Sequence, residues 1–227
     1  MGTGAAVINR EVLCRAAPFL TYLLFIALYD GLTKMGWSDA QLHWIYPLKI
    51  VVVAVLLLYW RKFYSELLPS RRQAAMSLVA VMVGIAVFVA WISLGADWMT
   101  LGKATAFAGQ SVDGGINWAL VAVRWSGAAL IVPVMEELFW RSLVLRWLKN
   151  AQFLAVDPQR IGLRAFSITA VLFGFEHHLW LAGLLAGAAY NLLYMRSRSL
   201  WWPVLAHGVT NGLLGLWVIS TRHWEYW

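Results

Sequence analysis

The stretch NWALVAVRWSGAALIVPVMEELFWRSLVLR, residues 117–146, decides the fold class. As a helix it would run about 45 Å at 1.5 Å per residue, more than the roughly 20 apolar residues that a bilayer crossing needs. Its apolar character is broken by Arg124 and by the cluster Glu136-Glu137-Leu138-Phe139-Trp140-Arg141. Ionisable groups within hydrocarbon are costly, so an intramembrane cluster is a functional-site hypothesis. Two further clusters have the same character: Phe173-Gly174-Phe175-Glu176-His177-His178 and His207-Gly208-Val209-Thr210-Asn211.

The rest of the chain agrees with a membrane protein. Of its 227 residues, 61% are hydrophobic and only 13% charged, against roughly 25% charged in soluble domains. Fifteen Trp and eight Tyr suit interfacial aromatic belts. The net charge of +7 comes without an aromatic-basic stripe or a nucleic-acid motif, so no nucleic-acid partner is expected. Cys14 is the single cysteine, which excludes an intrachain disulfide. No cleavage site clearly follows the first apolar run, which reads as a retained span.

These features predict an all-α polytopic bundle in one integral membrane domain, residues 1–227, with its catalytic core in 117–220. Seven spans are expected (within a range of six to eight): 14–33, 43–60, 73–95, 117–146, 164–179, 180–196 and 200–220. The Gly-rich stretch 96–116 reads as a loop with a surface helix. Basic residues set the orientation. With the N-terminus in the cytoplasm, that side collects Arg10, Arg15, Arg61, Lys62, Arg71, Arg72, Arg146, Lys149, Arg160, Arg164, Arg196 and Arg198, and the far side only Lys34, Lys103 and Arg222. The expected partner is the lipid bilayer, the expected location a bacterial inner membrane, with the C-terminus outside. His177 is awkward here, about 13 residues up from the loop before its span, unless that helix is short or tilted.

Helical spacing divides the polar residues by task. Glu137 and Arg141 are four apart and share a face, so they pair, which leaves Glu136 to face a cavity as a general base. Phe173 and His177 share a face, with His178 turned about 100° away. Glu176 is expected to orient an imidazole or to lie at the water interface. His207 and Asn211 share a face and can both donate hydrogen bonds to an oxyanion without carrying charge. Each cluster also has a bland reading: a structural ion pair, a polar helix cap, or hydrogen-bonded glue between helices. Lys49 and Arg124 are expected to pair internally or to snorkel, and the small residues Gly183, Ala186, Gly187, Ala188 and Ala189 to allow close helix packing.

The three clusters, in this order, resemble the CAAX protease and bacteriocin-processing family, also called Abi or CPBP, whose motifs are Glu-Glu-x-x-x-Arg, Phe-x-x-x-His and His-x-x-x-Asn/Asp. The resemblance covers roughly 117–220. It implies a glutamic-type intramembrane endopeptidase that cleaves a peptide bond near the membrane without a cofactor. It further implies that Glu136 and His177 activate water and that His207 and Asn211 form an oxyanion hole, with Glu137 and Arg141 in support. The run from His177 to Asn211 looks closest to bacterial CAAX prenyl protease-related proteins associated with exosortase and C-terminal sorting. That similarity implies a substrate in the C-terminal region of an exported or membrane-anchored protein. Two other readings remain at this point: a zinc protease with Glu136, His177 and His207 as ligands, and a non-catalytic membrane protein for binding, immunity or transport.

Overall fold

The computed structural model describes residues 9–68, 75–102 and 115–227, and these are helical with no strand among them. Seven long segments carry the fold: α1 (Arg10–Lys34), α2 (Ile45–Tyr59), α3 (Ala75–Ser93), α4 (Trp118–Trp147), α5 (Leu163–Phe175), α6 (Trp180–Ser197) and α7 (Trp201–Thr221). A short helix, Asp39–Leu42, precedes α2 and extends its apolar run. Five of these segments are long and apolar enough to cross a membrane, α2 counted together with that short helix; α5 and α6 fall outside that set. The all-α bundle expected from the apolar runs is what the chain forms.

Contacts at the helix ends define two poles. At one, Arg15 bonds Glu66 and Ser142, the Leu200 amide donates to the Glu66 carbonyl, and Arg198 pairs with Asp157. At the other, the Leu101 amide donates to the His178 carbonyl, Trp180 Nε1 to the Trp98 carbonyl, and Tyr46 Oη to the Arg124 carbonyl. The chain therefore alternates between poles with each helix. Arg10, Arg61, Lys62, Lys149, Arg160, Arg164 and Arg196 lie toward the first pole; Arg71, Arg72 and Lys103, and with Lys103 residues 103–114 of the stretch 96–116 read as a loop with a surface helix, lie outside the described residues.

Two expectations change. The fifth helix is not a span over 164–179; it stops at Phe175, about 20 Å long at 1.5 Å per residue. His177 thus sits in the turn beyond a short helix, which removes the depth difficulty. Arg15, counted with the basic residues of the cytoplasmic side, is not exposed there. It lies inside α1, 1% exposed, and binds Glu11, Glu66, Ser142 and the Phe63 carbonyl. That cluster ties the first helix and the loop after α2 to α4.

Small residues let the helices approach. A Cβ on Gly183 would lie 3.1 Å from Gly174 Cα, and one on Gly187 would lie 3.1 Å from Ala170 Cα, so α5 and α6 pack backbone to backbone. Gly84 on α3 meets the Ala206 carbonyl of α7 in the same way. The long α4 is not uniform. It widens to π geometry over Gly127–Ile131 and again over Leu138–Val144. Pro133 accounts for the first widening: it has no N–H for the carbonyl four residues back, and its ring crowds that carbonyl. The carbonyls so released face α7, where Asn211 Nδ2 donates to the Ala128 oxygen at 2.9 Å and Gly208 leaves room for the Ala129 oxygen. π segments of this kind are frequent at functional sites.

Candidate active site

A cavity of about 210 Å³ lies within the bundle, and Glu136, His177, His207 and Asn211 all line it. They come from α4, from the turn after α5, and from α7, and Phe173, Tyr190, Trp91, Tyr22, Tyr46 and Arg124 complete much of the wall. The cavity runs from Glu136 and His207 toward the second pole, where Arg124, Tyr226 and Trp227 line it.

The paired glutamates have different surroundings. Glu137 is 0% exposed; its Oε1 accepts from Arg141 Nη1 at 3.1 Å and from His207 Nδ1 at 3.0 Å. Arg141, also 0% exposed, donates onward to Asn191 Oδ1 and the Gly187 carbonyl, and its guanidinium lies 4.3 Å from the centre of the Phe173 ring. This side of the cluster is closed. Glu136 instead faces the cavity. Its Oε2, like Oε2 of Glu137, is buried without a hydrogen-bond donor from the protein, and His207 Nε2 stands 3.9 Å from it.

The imidazoles can be assigned tautomers because their partners only accept. His177 Nδ1 is 2.8 Å from the Phe173 carbonyl, so Nδ1 holds the proton and Nε2 offers a lone pair. Trp91 meets this ring edge-on at 5.2 Å and Phe173 packs at 4.8 Å. His178 points elsewhere, with Nδ1 on the Leu101 carbonyl. His177 is therefore the imidazole of this pair that the cavity receives. Glu176 lies outside the cavity wall, where its Oε2 accepts from Trp140 Nε1 at 2.8 Å. His207 spends its Nδ1 proton on Glu137, and Tyr190 stacks on its ring at 5.1 Å, itself bonded to Thr210 at 2.7 Å. Donation of the Nδ1 proton to Glu137 turns Nε2 toward Glu136 and the cavity, and a second donation, from Nε2, takes the doubly protonated ring.

Asn211 uses one amide hydrogen on Ala128 and keeps a second for the cavity. Lys49 and Arg124 lie beside the site against aromatic rings, Lys49 over Tyr22 and Tyr46, Arg124 over Tyr46 and Trp227. Tyr22 and Trp91 were not foreseen as cavity residues. The available signal was an aromatic residue deep in an apolar run, which core packing produces just as readily. Among the described residues, no group of three or more His, Cys, Asp or Glu side chains is arranged to hold a metal ion.

No curated protein and no solved structure matches the chain. A sequence model of one family does match, described as type II CAAX prenyl endopeptidase Rce1-like, over residues 117–213. Those residues hold α4 to most of α7, and with them Glu136, His177, His207 and Asn211. The part of the chain that carries these four residues is thus similar to the Rce1-like type II CAAX prenyl endopeptidases.

Proposed function

We propose that this chain is an intramembrane endopeptidase that hydrolyses a peptide bond near the membrane by direct activation of water. One observation carries the reading: Glu136 and His177 meet His207 and Asn211 on a single cavity, while Glu137 is closed off behind them. Water held between Glu136 and His177 Nε2 gives a proton to the Glu136 carboxylate as its oxygen attacks the peptide carbon. The oxyanion that forms takes hydrogen bonds from His207 Nε2–H and the second amide hydrogen of Asn211. Glu136 then passes its proton to the departing amine. Glu137 and Arg141 do not touch the reacting atoms; they position His207.

The basic residues gathered at the first pole support a cytoplasmic N-terminus in a bacterial inner membrane. The cavity, which runs toward the second pole, would then receive substrate from the non-cytoplasmic side. That supports a substrate in the C-terminal region of an exported or membrane-anchored protein. The test is cleavage of a membrane-proximal peptide by purified protein, with Glu136→Gln as the inactive reference.

A further inference from the structure

His207 is held from two directions. Along its plane, Nδ1 bonds Glu137 at 3.0 Å. Across its plane, the Tyr190 ring of α6 lies 5.1 Å away and within 22° of parallel, the offset stack that aromatic pairs favour. A hydrogen bond fixes the position of Nδ1 but leaves the imidazole free to tilt about that point; a stacked ring removes that freedom. Tyr190 is anchored in turn. It is 1% exposed, and its ring lies 5.4 Å from the Arg141 guanidinium, the group that also bonds Glu137. Its hydroxyl lies 2.7 Å from Thr210 Oγ1. The direction of that bond follows from the other neighbours of Thr210. The threonine hydroxyl carries one proton and lies 2.9 Å from the Gly84 carbonyl and 3.1 Å from the Ala206 carbonyl, which only accept. The Thr210 proton therefore goes to a carbonyl, and the Tyr190 phenol donates to Thr210. Gly84, Thr210 and Tyr190 thus join α3, α7 and α6 in one chain of hydrogen bonds that ends on the face of His207.

We propose that Tyr190 is a positioning residue for the oxyanion step: its ring sets the tilt of His207, so that Nε2 addresses the cavity, and Thr210 with Gly84 sets the place of the ring. The proposal rests on the protease reading. Tyr190 also lines the cavity, so direct contact with substrate is the competing role. The two differ in which kinetic constant responds. A positioning residue acts through His207 and lowers kcat at unchanged KM, whereas loss of a plain substrate contact raises KM.

Tyr190→Phe keeps the ring and removes only the hydroxyl; Tyr190→Leu and Tyr190→Met remove the ring. On a membrane-proximal peptide, Tyr190→Phe should lower turnover by no more than about fivefold, the range of one neutral hydrogen bond. The ring-less variants should be about 10- to 100-fold slower at unchanged KM, short of the loss of a whole oxyanion donor. A second readout needs no turnover. Magic-angle-spinning NMR of protein with isotope-labelled histidine in lipid, with His207 assigned by His207→Gln, should give one Nδ1–H signal in wild type and in Tyr190→Phe. In the ring-less variants that signal should shift or split. Unfolding midpoints identify the ring-less variants that keep the fold; if neither does, Tyr190→Phe decides alone, and a displaced His207 signal there would overturn the proposal. An unmoved His207 signal without the ring, or a raised KM at unchanged kcat, would overturn it as well. A His207 signal that responds to the ring, in a protein whose wild type shows no turnover, would reject the protease reading and leave the hold of Tyr190 on His207 standing.

Discussion

Glu137 and His207, seventy residues apart in the chain, are joined at 3.0 Å through Oε1 and Nδ1. This bond fixes which edge of the imidazole faces the cavity, and it gives the second glutamate a positioning task distinct from that of the first. Arg141 bonds the same oxygen, so three charged or polar groups on α4 and α7 meet at one fully buried point.

Glu137→Gln should therefore damage stability first. It removes one charge from a buried pair and strands Arg141, a change that typically costs about 3–5 kcal/mol. Thermal unfolding in detergent should show the loss, and activity should fall as well because His207 loses its orientation. An unfolding midpoint equal to wild type would remove Glu137 from this role.

Arg15→Met should weaken the bundle at the first pole. The guanidinium holds Glu11, Glu66 and Ser142 together while 1% exposed, and its loss leaves Glu66 without its cation. A destabilisation of about 3–5 kcal/mol is expected. The double variant Arg15→Met with Glu66→Met should be less damaged than the single one, since replacing a whole buried pair is often tolerated. Unfolding curves of the three proteins check this.

Topology follows from the alternation of helices and the distribution of basic residues. A reporter fused after Trp227 should lie outside the cytoplasm, and one inserted after Leu68 should lie inside. The reverse pair of results would invert the orientation, and two reporters on one side would break the seven-helix alternation.

Much of this arrangement was legible in the sequence, and the remainder has identifiable causes. Apolar runs marked the seven helices because a bilayer selects for length and composition. The division between α5 and α6 was harder to read, since the turn at 176–179 owes its tightness to Gly174 meeting Gly183 rather than to turn residues. Four-residue spacing was enough to pair Glu137 with Arg141, a local relation on one helix. The bonds from Glu137 to His207 and from Arg15 to Glu66 join residues 70 and 51 positions apart, and no local pattern encodes them. The π segment at Gly127–Ile131 had one sign in the sequence, Pro133, which reads equally as a simple kink.

Asn211→Ala separates direct water activation from metal chemistry. Loss of one oxyanion donor typically lowers turnover about 100- to 1,000-fold, so the variant should bind substrate yet turn it over slowly, and chelators should leave wild-type activity unchanged. A zinc enzyme would lose activity to chelators, regain it with zinc, and contain stoichiometric metal by elemental analysis.

The most direct test is turnover by Glu136→Gln, with thermal stability measured on the same preparation. Gln keeps the shape of the side chain and removes the base, and Glu136 Oε2 has no protein donor to lose. The expected result is background turnover with an unfolding midpoint close to wild type. Substantial turnover by Glu136→Gln, beside a stable but inactive Glu137→Gln, would contradict the assignment and reverse the roles of the two glutamates.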